Sequence, residues 1–586
     1  MHRRAVLRSA IVSICLTSAP LLSQQGESPT VAKPDAQSPS VRQSAMSLLE
    51  EALAGTGSLT LPSNRLAIEL RALPVVWSRS DARARALVQQ MAGDFAQAAN
   101  AFTQDPDQNP VFALNSLRGQ RNGIAHGIAN SDPELALLFL SATLPYLNAV
   151  SPDDDSEDHA LVIDLAAQVA LHDPQRALQL AEQQLKQTDD LPQSMIGLLD
   201  QVQRNDSQAG AHLLRDIVDH LRGQDLAEDD EALSFAASLL QAQFSRQSET
   251  GKPDDVLRLL AETIATAASS SDVMQNQPYL LSGAMSALDA LVPSRSAAFF
   301  PRNRRTAQVS SQNSFWRNFN QARSSGDASQ VVALLSQAPE DDRPQAVEQA
   351  AWLFASNGDL DRTRQVANGL EPWRRNNVMQ LAIRCAALAA ASRSDFAGAR
   401  QLAAQITDDE ARATLLSDLA VYAQDSGKPR TAEEMLGEAT SLVINRSAGT
   451  SAFAAQLKVA QAYLHVKPSQ AIPLLERSAT QIEQALSAAA QLDGFLPDRH
   501  SFEGSELILS QGFLYNSLLE PYAMATAELA ALDLPTARTL ADRLPLPEAR
   551  LLTDVFLAGA VLAPKDQTQA ASNPTPPIRA WLEDNQ

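Results

Sequence analysis

The chain is short of cysteine, aromatic residues, glycine and positive charge, and each shortage removes a class of protein. Two cysteines, Cys15 and Cys385, among 586 residues cannot staple a disulfide framework or build a multi-cysteine zinc site. Lys and Arg total 47 against 68 Asp and Glu, a formal charge of -21, so nucleic acid and anionic lipid are repelled and no nucleic-acid partner is expected. There is no phosphate loop ending in Gly-Lys-Ser or Gly-Lys-Thr, no His-Glu-x-x-His, no Gly-x-Ser-x-Gly and no Cys-x-x-Cys. Gly55-Thr56-Gly57-Ser58 lacks the third glycine of a dinucleotide fingerprint and reads as a loop. The sequence therefore assigns no catalytic residue, cofactor or metal, and leaves the ligand-binding residues open. With aromatics at 5% and 23 glycines, Ala, Leu and Gln dominate, and these unbranched side chains lose little freedom in a helix.

Residues 1–25 have the layout of an export signal: Arg3, Arg4 and Arg8 precede an apolar stretch from Ser9 to Leu22 without an acidic residue. The stretch is too short and polar for a membrane span, and no integral span is expected. Arg3-Arg4-Ala5-Val6-Leu7-Arg8 resembles a twin-arginine signal, and an ordinary secretory signal has the same layout. A periplasmic or secreted protein is expected. Residues 26–44, rich in Gln, Ser and Pro, read as a disordered linker, and residues 565–586 as a Pro-rich disordered tail carrying Trp581.

Between these ends apolar residues recur at spacings of three and four, as in Leu213, Leu214, Ile217, Val218 and Leu221, which is a helical period. Asp132-Pro133, Ser151-Pro152 and Asp173-Pro174 each place a capping oxygen before proline at a helix start. A polar turn followed by a helix with a small or branched residue near its fifth position recurs along the chain, with anchors at Ala98, Ala136, Ala177, Ala211, Val256, Ala297, Val331, Thr363, Ala399, Ala432, Ala471 and Ala537. Neighbouring anchors are 32 to 45 residues apart, except for a last interval of 66. Two helices and two turns consume about 34 residues, and such a unit buries its apolar stripe only against stacked neighbours.

Leu416-Ser417-Asp418-Leu419-Ala420, followed by Gly427, Ala432, Leu436 and Ala439, resembles a tetratricopeptide repeat. Ala351, Phe354, Gly358 and Asp359 form a second match and Ala387, Phe396 and Ala399 a third. The resemblance covers about Gly326 to Ala439. It implies an all-α fold, a right-handed superhelix of stacked helical hairpins, with residues 311–564 as the regular repeat region and residues 45–310 as an irregular one.

Candidate sites are weighed against packing. His212, Asp216 and His220 share one side of a helix and have metal-ligand spacing, but the polar face of an amphipathic helix carries the same pattern. His126, between Ile124 and Ile128, is expected to be buried. Asp153 to Asp158 with Asp164 lacks the turn glycine of a calcium loop and reads as a helix start. Cys385 is expected to be a packed thiol. Arg302, Arg304, Arg305, the run Phe315-Trp316-Arg317-Asn318-Phe319 and Trp373-Arg374-Arg375 interleave cations with rings, as a ligand-facing patch does, although Phe315 and Phe319 also have core spacing.

The tetratricopeptide resemblance implies a non-catalytic scaffold that holds a protein or envelope polymer on its concave surface. The alternative is a cell-wall or polysaccharide-acting enzyme of the α-toroid or superhelical transglycosylase type, although Glu503-Gly504-Ser505-Glu506 lacks the Glu-Ser pair of the lysozyme-like catalytic domain.

Overall fold

The computed structural model describes residues 39–104, 110–150, 156–188, 190–247, 255–270, 281, 283–294, 315–316, 318–340, 342–444, 449–493, 501–509 and 512–563. The expected signal segment 1–25, most of the linker, Ala297, Asp153 to Asp155, Arg302, Arg304, Arg305, Arg317 and the tail 565–586 lie outside them.

The first part of the chain forms α1 (Pro39–Gly55), α2 (Pro62–Trp77), α3 (Asp81–Gln104), α4 (Pro110–Ala129), α5 (Pro133–Val150), α6 (Ser156–Val169), α7 (Pro174–Leu185), α8 (Ser194–Asn205), α9 (Ser207–Gly223), α10 (Asp230–Gln247), α11 (Asp255–Ser270) and α12 (Met285–Leu291). After helical residues 318–325 come α13 (Ala328–Leu335), α14 (Arg343–Ser356), α15 (Leu360–Ala367), α16 (Pro372–Ser392), α17 (Phe396–Ala403), α18 (Asp409–Asp425), α19 (Pro429–Val443), α20 (Thr450–Val466) and α21 (Pro468–Leu492). A small hairpin of β1 (Phe502–Glu503) and β2 (Glu506–Leu507) precedes a π-helical turn at Tyr515–Leu519, α22 (Glu520–Ala530), α23 (Leu534–Ala541) and α24 (Pro547–Leu562).

Each even-numbered helix from α2 to α10 packs on the helix that follows it, and so does each from α14 to α22; within each of these two runs the hairpins stack on their neighbours in chain order. The fold is an all-α solenoid, as the periodicity requires. First and second helices of a hairpin differ in chemistry. In α19 the buried residues Ala432, Met435, Leu436, Ala439 and Val443 form one stripe, as expected of a helix covered on one side. In α18 the buried residues Ala413, Leu415, Leu416, Ser417, Leu419, Ala420 and Ala423 occupy most of the circumference, because this helix also packs on α16 and α20.

The recurring polar turn has one geometry. Gly326, Ser394 and Gly427, together with Gly358, have φ between 63° and 72°, and the next residue's N–H reaches back to close the preceding helix: Asp327 to Ala322, Asp359 to Phe354, Asp395 to Ala390 and Lys428 to Ala423. This is a left-handed helix stop that satisfies the last carbonyls. Asp327, Asp359 and Asp395 then accept backbone N–H groups of the second helix, so one dipeptide ends one helix and caps the next. At Gly358 glycine is needed twice over, since a Cβ would lie 2.9 Å from the backbone nitrogen of Ala386.

The two ends of the chain close on each other. The helix that packs on α24 as its second helix is α1, and α24 also packs on α2, the next first helix. Ala45, Leu48, Leu49, Ala52 and Leu53 of α1 are buried, and each large one contributes about 1.5–3 kcal/mol by leaving water. A polar clasp fixes the register. Glu506 at the β-hairpin accepts from the backbone of Thr60, from its hydroxyl (2.7 Å), from the Leu61 N–H (3.1 Å) and from Asn64 (3.3 Å). Burial pushes the Glu506 carboxyl up, but these bonds outweigh it and hold it below its ordinary range. The fully buried Asn64 donates to the Leu507 carbonyl (2.8 Å) and accepts from the Leu509 N–H (2.9 Å), while Glu548 of α24 accepts from the Leu507 N–H (2.7 Å). Arg71 pairs with Glu520 and stacks over Phe556, Arg538 pairs with Glu51, and Arg79 donates to the last-turn carbonyl of Leu562.

Several expectations need correction. Gly93 to Ala98 is not a turn but lies inside α3. Ala211 is exposed, and the tightly packed small residue there is Gly210. Among its described residues the 66-residue interval holds no additional helical hairpin: a 25-residue α21 and the β-hairpin stand there. Helix α1 begins at Pro39, inside the stretch read as a disordered linker to residue 44. The apolar core forms three blocks: the largest joins residues 45–165 to residues 383–562, beside blocks spanning 163–292 and 315–385.

Two outcomes are expected. Asn64→Ala strands the Leu509 N–H and the Leu507 carbonyl and should cost about 2–4 kcal/mol, seen as a lower unfolding midpoint and faster proteolytic release of α1. Ser394→Gly relieves the single described non-glycine residue with positive φ, and should raise stability by about 0.5–1 kcal/mol in denaturant unfolding.

Candidate functional site

From α14 to α24 each first helix packs on the next first helix, and a line of polar side chains crosses them. Arg384 of α16 donates to Asp418 of α18 (2.9 Å), and Lys458 of α20 reaches the other oxygen of the same carboxylate (3.2 Å). Gln461 of α20 donates to Glu528 of α22 (2.8 Å). The line follows from the helix period. From Phe453 to Leu464 in α20 only Ala454, Lys458 and Gln461 are not buried, and His465 continues the stripe. On α22 the exposed Met524 stands one turn before Glu528. Glu528 touches solvent, yet desolvation holds its carboxyl above the ordinary range against the pull of His465, Lys458 and Gln461. An exposed acid that is still desolvated sits in a groove, not on a convex surface.

The interleaved patch expected around Phe315 and Trp373 is divided by the fold. Phe315 and Phe319 are buried and cluster with Trp316, ring centroids 5.3 to 5.6 Å apart, so the core reading holds there. Arg375 is spent on the carbonyls of Ala367, Asn368 and Leu370 that end α15. Trp373 is 62% exposed, with Arg374 stacked on it at 5.0 Å and paired with Glu348.

His212 does not share a site with His220. His212 lies 3.7 Å from Glu182 of α7 and 3.6 Å from Asp216, one carboxylate beside each ring nitrogen, whereas His220 bonds Gln224. Desolvation, then repulsion from Glu182 and Asp219, lifts the Asp216 carboxyl. His126 is exposed, contrary to expectation, because Ile124, Ala125, Ile128 and Ala129 fill the buried face of α4. Cys385 is packed, and burial pushes its thiol up to about 11. The helix start read at Ser151-Pro152 lies outside the described residues, which resume in α6 at Ser156.

Perturbed acids exist that the sequence did not single out. Glu69 is fully buried between α2 and α3, bonded to Gln90 (2.6 Å), with its second oxygen unpartnered. Desolvation, then the charge of Asp94, pushes it up to about 8. Asp94 itself pairs with Arg65 at 2.7 Å. In α24, desolvation pushes Asp554 up to about 7 against the pull of Arg538. Glu69 and Asp94 are sealed in packing, with exposures of 0% and 6%. Two surface clefts, of about 640 Å³ between α8 and α10 and about 520 Å³ beside the Gly358 turn, are each lined by one carboxylate, Asp200 and Asp395 respectively.

Glu69 and Asp554 keep their protons in the folded chain where the unfolded chain ionises, near 4.5 and 3.8. Their contribution to stability is therefore complete below those values and is lost as pH rises through about 7 and 8. The unfolding midpoint should fall between about pH 5 and about pH 9, and Glu69→Gln with Asp554→Asn should flatten that fall.

No family model matches the chain, and no curated protein matches it. Solved structures overlap it weakly. A chain in the structure of Naa15/Naa10 bound to HypK-THB is 11% identical, covering 86% of this chain and 75% of that one with a TM-score of 0.26. A homology model of the full-length AP-3 complex is also 11% identical, covering 87% and 78% with a TM-score of 0.22. A circular tandem repeat protein with novel repeat topology is 13% identical, covering 91% and 100% with a TM-score of 0.15. At these scores the likeness adds nothing to what the helices themselves display.

Proposed function

We propose that the chain is an exported, non-catalytic scaffold that holds a protein or envelope component along its first-helix row. The observation that carries this reading is the stripe of Arg384, Asp418, Lys458, Gln461, His465, Met524 and Glu528 across four successive first helices. Side chains repeated at hairpin spacing offer an extended ligand a series of equivalent contacts, and an array gains affinity by adding modest contacts rather than by one deep pocket. The tighter packing of first helices on one another favours placing them on the inside of the curve, and the desolvated but accessible Glu528 agrees with a groove there. The scaffold reading also fits the sealed position of the Glu69 and Asp94 carboxyls, which leaves them no route to a substrate. Export rests on the basic and apolar layout of residues 1–25.

The test uses the mature chain as bait in envelope extracts. The combined variant Lys458→Ala, His465→Ala and Met524→Ser should recover at least about tenfold less of the ligand that the unaltered chain recovers, because exposed aromatic, cationic and apolar anchors carry most of a binding energy. Glu433→Ala with Lys467→Ala, which removes an ion pair between α19 and the start of α21, should recover the same amount. Equal loss or equal retention in both variants removes the first-helix row from consideration. Fractionation of a reporter fused after residue 45 checks export, and retention in the cytoplasm overturns that half of the reading.

A further inference from the structure

First helices α6 and α8 pack directly on each other, but α8 and α10 meet through polar side chains and leave the cleft of about 640 Å³ between them. Asp200 is shared by two guanidinium groups, Arg204 on one oxygen (2.6 Å) and Arg246 on the other (2.9 Å). Arg246 also donates to Gln203 (2.6 Å), and Gln203 donates to the carbonyl of Gln243 (3.1 Å). Gly210 of α9 makes room for this bridge: a Cβ there would lie 2.3 Å from Cγ of Gln203.

The donors and acceptors of the cleft do not balance. Both oxygens of Asp200 and the carbonyl of Gln243 already accept. On the donor side, each guanidinium has five N–H groups and has used only some of them. The Gln243 amide nitrogen has no protein partner, although Gln243 is only 5% exposed and lines the cleft. Ile196, Gly197 and Ala242 form the apolar part of the wall, and Ser245 completes it. Two cations facing one carboxylate leave a positive charge in a chain of net charge -21, and a cleft of this volume suits a small molecule.

We propose that the cleft between α8 and α10 binds a small ligand through an oxyanion, carboxylate or phosphate, held by Arg204, Arg246 and the Gln243 amide. An oxyanion supplies the acceptor the cleft lacks, and charge-assisted bonds to guanidinium are among the strongest such contacts. This site is separate from the first-helix stripe on α16 to α22 and stands whether or not that stripe binds a partner.

Calorimetric titration of the full mature chain with citrate and, separately, with inorganic phosphate at constant ionic strength tests it. At least one anion should bind saturably at one site, and which one binds identifies the oxyanion. Arg204→Gln, at the most exposed of these side chains, and Gln243→Leu, which removes the unmet donor while filling its space, should each weaken binding about tenfold. Arg204→Gln should leave the unfolding midpoint of the free chain unchanged, which separates lost binding from lost folding. Absence of saturable binding by either anion, or equal affinity in both variants and the unaltered chain, overturns the proposal.

Discussion

The packing of α1 on α24 is the contact on which the rest of the solenoid depends. A helical hairpin buries its apolar stripe only against neighbours, so any first helix without a second helix leaves a large apolar face in water. Helix α24 has the composition of a first helix, with Ala549, Leu552, Val555, Leu557, Ala558, Val561 and Leu562 buried. Its second helix comes from the other end of the chain, and the clasp of Glu506, Asn64 and Glu548 fixes how far along its axis α24 sits. Closing a loop of this length costs little more entropy than closing a short one, because the cost grows only with the logarithm of length. The kinetic consequence is larger: α1 is made first and its partner last, so its apolar face must wait for almost the whole chain.

Charge has a different task from closure. Along the edges of the stack, pairs such as Arg176 with Glu134, Lys467 with Glu433 and Arg543 with Glu476 link neighbouring hairpins. They are exposed, and pairs of this kind are worth little individually. Their effect is on register: an acidic chain repels itself, and placing these cations against an acid of the next hairpin directs the repulsion outward instead of between stacked units. Where a cation is left over, as at Arg204 and Arg246 around one Asp200, the surplus stands out against the acidic background.

What could be read from the sequence was whatever is local. The Gly-Asp turns are legible because left-handed backbone and helix capping each select one residue type, and Gly326, Gly358 and Gly427 mark hairpins correctly. Ala432, Ala471 and Ala537 are anchors for the same reason, since close helix approach excludes larger side chains. The same signature misleads at Gly93-Asp94, where a continuous helix tolerates the glycine and Asp94 turns to Arg65 of another helix. The clasp was illegible because Asn64 and Glu506 are ordinary polar residues until a contact 442 residues away in the chain buries them. The stripe was hidden for a related reason. First helices are apolar on nearly every side, so their periodicity does not say which narrow face remains open, and Asp418 lay inside the best repeat copy without showing that its oxygens join α16 to α20.

The perturbed acids sharpen the choice between scaffold and enzyme. A carboxyl held protonated near neutrality is what general acid catalysis needs, and by that criterion alone Glu69 and Asp554 qualify. Catalysis also demands that the proton reach a substrate, and here the two requirements separate. Glu69 owes its shift to complete burial, the same burial that keeps every substrate atom away from it. Glu528 has the opposite balance: it is accessible and its shift is opposed by His465, Lys458 and Gln461, neighbours suited to bonding a ligand. Accessibility and perturbation coincide at Glu528, on the row of first helices, as they do at the half-buried Asp216 and Asp554. Glu528 there faces Gln461, with no second carboxyl among the neighbours that set its titration. The other acid of the stripe, Asp418, is already shared by Arg384 and Lys458, which leaves Glu528 as the acid open to a partner.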